Sequence, residues 1–412
     1  MSTLDTVSFL RTRDADPRDQ PTEDFIAAIR SRFPTEADVD DLLTRKMQRR
    51  AGPRYRHVGI EEMVAWTGSM LRDLIEDDVD ILEPRWLTGG ASKVQMAFTL
   101  EVGKPGTPAR RERLVVRMDP TEGSNATSRR REAELLRAFE DTLPVPKVYW
   151  VDHACRWFPE PAIIYSFLNG VAKPSHNASG RIVGLGTDFG PALREKLAPQ
   201  FLEHLARIHT ADVDTMRFTT MDRPETGTVE CARLQLNRAR RVWEEDRPEA
   251  FPLMDVAANW MQRNLPELDR VSVVHGDFRS GNFLFDEPSG RVTAWLDWER
   301  GQLGDRHRDL AWMTQLEKGH FSEDGKVYYV CGLIPLDEFY RRYEDVSGLS
   351  VDPDKLAFYR VLNCFQIITT TMATAYRVAK LGKSHQDVLL ARLKGIAPLV
   401  AGELLELLKE RI

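Results

Sequence analysis

The period of the apolar residues changes along this chain, and that change limits the folds open to it. Between residues 22 and 76 they recur at helical spacing, as Phe25, Ile26, Ile29 and Phe33, then Met63, Val64, Met70, Leu71 and Leu74. From residue 81 the period falls to two. Ile81 to Leu87 reads as a strand, and Val94 to Val102 as a second, in which Val94, Met96, Phe98 and Leu100 alternate with other residues. Arg113 to Met118 reads as a third strand, with two more near Val148 to Val151 and Ile163 to Phe167. A helix is expected from about Asn125 to Phe139. Beyond residue 170 helical spacing returns over 193–208, 229–246, 254–265, 307–318, 335–344, 355–381 and 386–410. One strand-rich island, Val271 to Leu296, interrupts it. Strands and helices gathered in separate stretches describe an α+β chain. The expected architecture is a helical extension over 1–80, a small antiparallel-sheet lobe over 81–170, and a mainly helical lobe over 171–412.

Composition narrows the function classes. The chain has 412 residues, 57 Lys+Arg against 63 Asp+Glu, and 42% hydrophobic residues. That is enough apolar surface to offset ordering entropy, so a disordered chain is excluded. A net charge of −6 argues against nucleic-acid binding by bulk charge. No run of about 18 apolar residues suggests a membrane span, and the polar first twenty residues lack a signal-peptide core. A cytoplasmic protein is expected. Cys155, Cys231, Cys331 and Cys364 share no C-x-x-C spacing and read as reduced core residues rather than a zinc or redox site. The basic stretch Lys46-Met47-Gln48-Arg49-Arg50 reads as a solvated helix face.

The chemistry concentrates in the island. An apolar strand delivers His275-Gly276-Asp277 into a loop, Asn282 opens the next strand, and a further apolar strand ends in Asp297. Phosphoryl transfer needs such a set: a carboxylate to orient the attacking hydroxyl and take its proton, and a carboxylate and an amide oxygen to hold Mg²⁺ between phosphates. Hard oxygen donors with no nearby cysteine suit Mg²⁺ rather than zinc.

H-G-D-x-x-x-x-N, followed by an apolar strand ending Leu296-Asp297-Trp298, resembles the aminoglycoside phosphotransferase/choline kinase branch of the protein-kinase-like fold. Gly304-Asp305-Arg306-His307-Arg308-Asp309-Leu310-Ala311 resembles that family's G-D-x-x-x-D-L-A segment. The resemblance spans about residues 81–345 and implies a protein-kinase-like fold. It implies roles for Asp277 as the catalytic carboxylate and for Asn282 and Asp297 as metal ligands. His275 is expected to support the loop, Asp309 to brace it, and Asp305 to cap the helix that follows. Upstream, Gly89-Gly90-Ala91-Ser92-Lys93 turns between two strands and can bring backbone N–H groups to phosphates. Arg117 stands where the family carries a third-strand lysine that meets the nucleotide phosphates. An Arg there resembles the phosphotransferases associated with acyl-CoA dehydrogenases. Its partner acid is expected at Glu132, which shares a helix face with Leu135, Leu136 and Phe139, whereas Glu134 falls beside Arg130, Arg131 and Arg137. Pro161 to Gly170 resembles the hinge, with adenine meeting the backbone near Ser166 and Leu168.

The expected function is an Mg²⁺-dependent phosphotransferase using ATP or GTP on a hydroxyl of a small molecule, such as an aminoglycoside-type antibiotic or a hydroxyacyl-CoA. A nucleotide-binding pseudokinase without turnover is the rival, favoured only by Arg117. Residues 188–270 hold 15 acids and 12 bases, too even to choose the acceptor. The oligomeric state stays open.

Overall fold

The computed structural model describes residues 16–87, 93–104, 108–177 and 186–411. The chain opens with three helices, α1 (Glu23–Arg32), α2 (Ala37–Arg49) and α3 (Ile60–Leu74). Thr22 caps α1 by accepting from the Phe25 N–H at 3.2 Å. Five strands follow: β1 (Asp78–Trp86), β2 (Val94–Gly103), β3 (Arg110–Met118), β4 (Val148–Asp152) and β5 (Ala162–Ser166), with α4 (Arg129–Phe139) between β3 and β4. They form one antiparallel sheet in the order β1-β2-β3-β5-β4. The helix forecast from Asn125 starts later because Ser128 takes the cap position, its hydroxyl accepting from the Arg131 N–H.

Strand alternation sorts the sheet residues between two cores. Met96, Phe98, Leu100, Leu114, Val116 and Ile164 pack with Met63, Met70 and Leu71 of α3. Ala97, Val115 and Ile163 face the other way, onto Leu135, Leu136 and Phe139 of α4. Helix α3 therefore covers the back of the sheet. Arg117, two residues after Val115, emerges on the α4 side.

The larger part comprises α5 (Gly190–Thr210), α6 (Glu230–Asp246), α7 (Pro252–Arg263), α8 (His307–Met313), α9 (Leu336–Ser347), α10 (Pro353–Ile368), α11 (Ala375–Leu381), α12 (Asp387–Leu393) and α13 (Ala397–Lys409). Two small ribbons, β6 (Ser272–Val274) with β9 (Gln302–Gly304) and β7 (Phe283–Asp286) with β8 (Arg291–Trp295), carry the island. The helix expected over 355–381 is interrupted by a π-helical segment, Thr369–Thr374. There Thr369 and Thr371 donate to the carbonyls four residues back, and Thr374 donates to Asp246 at 2.6 Å. No helix of the described residues is long and apolar enough to cross a membrane.

Two sequence expectations fail here. The basic stretch is a solvated face only in part: Gln48 and Arg49 are exposed, but Arg50 is 1% exposed. Its guanidinium bonds Glu122, in the loop after β3, at 3.0 Å and Asp246, at the end of α6, at 2.7 Å. Lys46 reaches Glu245 at 2.8 Å. The N-terminal helices thus tie the sheet to the helical part through buried charges, which a count along one helix does not reveal. Cys155 is exposed, in a turn with φ of 57°, and is not a core residue; the other three cysteines are buried.

Candidate active site

Strand β6 carries its apolar side chains into the core and ends at Val274, so the next three residues leave it as a loop. The loop is held from below by Asp309 of α8, whose two oxygens accept from the His275 N–H at 2.7 Å and the Gly276 N–H at 2.8 Å. His275 is fully buried. Its Nε2 donates to the Leu296 carbonyl at 3.1 Å, so its Nδ1 accepts from the Asp277 N–H at 3.3 Å. Burial pushes its pKa down, in keeping with a neutral ring that fastens two loops together. Gly276 has φ of 78°, and a Cβ there would lie 2.6 Å from the Arg300 carbonyl oxygen. Only glycine suits that backbone and that approach.

Asp277 is thereby held in the loop that follows β6. Its Oδ1 accepts from Trp312 Nε1 at 2.8 Å and Arg279 Nε at 3.0 Å. Its Oδ2 accepts from Asn282 Nδ2 at 2.8 Å, and that amide also reaches the Asp277 carbonyl at 2.8 Å. Burial alone would raise its pKa. Arg279, Arg300 and Lys318 outweigh burial and hold Asp277 at about 2. Asp297 follows β8 in the left-handed region, with φ of 59°, a conformation aspartate tolerates better than most residues. Its carboxylate is 42% exposed and lies 2.8 Å from Arg117 Nη2.

Arg117 is the centre of a buried ionic cluster. It meets Glu132 Oε1 at 2.7 Å and Glu299 Oε2 at 2.8 Å. Arg129 contacts Glu132 and reaches Glu299 at 3.2 Å, and Lys93 lies 2.8 Å from Asp119 and 3.7 Å from Glu299. The pairing of Arg117 with Glu132 follows the helix-face expectation. Glu134 instead caps the segment at Thr219 and Thr220, accepting from both hydroxyls. The cations drive the Glu299 pKa far down against its burial.

A cleft of about 400 Å³ opens beside this cluster. Arg117, Glu132, Ser166, Leu168 and Asp297 line it, and Leu87, Val115, Leu136, Leu284 and Leu296 supply apolar walls. Gly170 lets the segment after β5 pass close to the ribbon: its φ is 144°, and a Cβ would lie 2.5 Å from Thr293 Oγ1. The Ser166 N–H donates to the Lys147 carbonyl at 2.9 Å and its hydroxyl accepts from the Lys147 N–H at 3.0 Å.

The structure thus brings Asp277, Asn282, Asp297, Arg117, Glu132, Ser166 and Leu168 around one region. Lys93 does not line the cleft; its ammonium, 2% exposed, is spent on Asp119 and Thr127. Gly89, Gly90 and Ser92 lie outside the described residues. Sequence reasoning missed Trp312, Arg279, Lys318 and Arg300 around Asp277, and Glu299, Arg129 and Asp119 around Arg117. Glu299 alone carried a signal, sitting two residues after Asp297 in L-D-W-E.

Comparison with known proteins fits this geometry. The chain is 28% identical over 302 residues to the probable acyl-CoA dehydrogenase IBR3 of Arabidopsis thaliana, covering 67% of this chain and 34% of that protein. It spans only about a third of that relative. A Ralstonia eutropha protein assigned to the aminoglycoside phosphotransferases superposes with a TM-score of 0.60 at 21% identity, covering 87% of this chain and 99% of that one. An aminoglycoside phosphotransferase solved with ADP and hygromycin B superposes with a TM-score of 0.50 at 16% identity, over 81% and 97% of the two chains. These structures share the protein-kinase-like fold. The family profile described as "Phosphotransferase enzyme family" matches residues 101–359, which hold β3, α4, the hinge and the whole island, and the chain belongs to that family.

Proposed function

We propose that this protein transfers the terminal phosphoryl group of ATP or GTP, with Mg²⁺, to a hydroxyl of a small molecule. One observation carries the reading: Asp277 is held ionised and bonded to Asn282, whose backbone carbonyl accepts the N–H of Leu296 at the edge of a cleft that Asp297, Arg117 and Glu132 also line. A carboxylate with a pKa near 2 is a weak base. Its main task is to hold the acceptor hydroxyl in line, and it takes the proton late, as phosphoryl transfer with a loose transition state allows. Trp312, Arg279 and Asn282 fix its two oxygens for that purpose.

The donors present suit Mg²⁺. Asp297 offers a partly exposed carboxylate, and the Asn282 NH₂ is spent on Asp277, which leaves its carbonyl oxygen for a cation. Such a metal neutralises charge on the phosphates. The adenine or guanine ring fits between the apolar walls, against the backbone at Ser166 and Leu168. Arg117, which lines the cleft, meets the phosphates. Residues 81–170 then form the nucleotide lobe, 171–412 the catalytic and acceptor lobe, and 1–80 an extension.

The solved neighbour that holds ADP and hygromycin B supports nucleotide use. The test is ATP consumption across aminoglycosides, macrolides, choline-like alcohols, sugars and hydroxyacyl-CoAs. Asp277→Asn should keep nucleotide affinity and lose about 10²–10⁴-fold in transfer. Near-normal transfer in this variant removes Asp277 from the mechanism. Asp297→Ala should abolish the Mg²⁺ dependence of nucleotide affinity. Nucleotide binding with no turnover on any acceptor class would favour the pseudokinase reading.

A further inference from the structure

A chain of cations runs back from Asp277: Arg300 acts on Asp277, Arg308 neighbours Arg300, and Arg238 neighbours both. Arg238 of α6, Arg300 before β9 and Arg308 of α8 form no ion pair with any described carboxylate. Arg308 is bonded only to amide oxygens, of Gln235 at 2.9 Å and Gln366 at 2.6 Å. Arg238 reaches one carbonyl, that of Ala126, at 3.5 Å. The Arg300 guanidinium lies 4.5 Å from the ring centre of Trp312, and the Lys318 ammonium 4.3 Å from it. Trp312 is the residue that donates to Asp277. Burial, reinforced by mutual repulsion, pulls Arg238 down to about 9 and Arg308 to about 10.

A cavity of about 240 Å³ opens between α2, α6 and β9, with Arg238, Gln235 and Gln302 among its lining. Gln302 is 3% exposed, and its Nε2 has no acceptor among the described residues. The acids Asp222, Glu225 and Glu230 also line the cavity, but they are exposed. Glu36, the remaining acid, is held by Arg131 at 2.8 Å. A buried guanidinium with no carboxylate partner, as at Arg308, a half-buried one at Arg238, and the acceptorless amide of Gln302 are costly unless an anion completes them, and the planar guanidinium matches phosphate oxygens.

We infer that this cavity is an anion subsite, in which Arg238 and Gln302, backed by the charge of Arg300 and Arg308, receive a phosphate or pyrophosphate group of the acceptor molecule. The inference rests on the phosphotransferase reading for the placement of the acceptor hydroxyl at Asp277. It makes the acceptor an already phosphorylated hydroxy compound rather than a polycation.

The probe is inorganic pyrophosphate, titrated calorimetrically into the full chain with and without saturating Mg²⁺ and a non-hydrolysable ATP analogue. The analogue titration alone reports on the nucleotide site. Pyrophosphate is expected to bind with the analogue already present, and Arg238→Met to weaken it by ten-fold or more while leaving analogue affinity unchanged. The same variant should raise the melting temperature of the ligand-free protein, because it removes a half-buried charge that has no carboxylate partner. Gln302→Leu should weaken pyrophosphate in the same direction. Three results overturn the subsite: pyrophosphate displaced by the analogue, which assigns these cations to the nucleotide phosphates; pyrophosphate affinity unmoved by Arg238→Met; or a polycationic aminoglycoside binding in a way that Arg238→Met strengthens while pyrophosphate does not bind.

Discussion

The ionic cluster around Arg117 makes a quantitative prediction. Three buried cations, Arg117, Arg129 and Lys93, face three buried or nearly buried carboxylates, Glu132, Glu299 and Asp119, while Asp297 at 42% exposure keeps its water. Arg117→Met leaves two cations for three carboxylates. One charge is then buried without a partner, a loss of about 3–5 kcal/mol in stability. Glu132→Gln leaves three cations for two carboxylates, an imbalance of the same size and opposite sign. The double variant restores the balance at two against two. Its destabilisation should therefore fall well short of the sum of the singles, with a coupling of about 2–3 kcal/mol. Urea unfolding at constant m-value measures all four corners. Nucleotide affinity is read in parallel, and it should stay weak in the double variant, because charge balance returns but the phosphate-facing guanidinium does not. Additivity within about 0.5 kcal/mol would refute the shared-cluster account. Recovery of nucleotide affinity in the double variant would refute a phosphate role for Arg117.

Two further perturbations follow from buried groups. Arg50→Met strips Glu122 and Asp246 of a fully buried partner, with only Lys46 left beside Asp246; it should cost about 3–5 kcal/mol in urea unfolding, and a loss under 1 kcal/mol would show that the N-terminal helices do not bind the lobes through it. His204 accepts from Trp295 Nε1 at 2.9 Å, and burial lowers its pKa from 6.5 to about 4. Between those values the unfolded chain binds the extra proton, so this contribution to stability is present above pH 6.5 and is lost as the pH falls toward 4. His204→Gln, which keeps an acceptor for Trp295, should flatten the decline of the unfolding midpoint over that window. An unchanged pH profile would assign the decline to other groups.

Much of the fold was legible because period is a local property. Helical spacing placed Glu132 with Leu135, Leu136 and Phe139, and the resemblance supplied Arg117 as its partner; the contact itself follows because alternation along β3 puts Arg117 on the α4 side. Asp277, Asn282 and Asp297 were legible for another reason: phosphoryl transfer needs particular groups at a strand end, and the strand supplies its own orientation. Helix ends were less legible. The start of α4 depended on Ser128 claiming the cap, and the break between α10 and α11 on threonines bonding back to carbonyls four residues earlier.

Only the tertiary structure decided which charges are buried and whom they face. By its sequence, Lys46 to Arg50 is like any solvated basic face. Arg50 is buried because Glu122 and Asp246, 72 and 196 positions away, converge on it, while Gln48 and Arg49 stay exposed. Trp312 and Arg279 fix Asp277, and Arg300 and Lys318 add their charge, because α8, the segment that follows it and the loop before β9 converge on it. Coulomb energy depends on distance and on exclusion of water. Neither is encoded in spacing along the chain, so the sequence singled out Asp277 while the packing of distant elements set its charge.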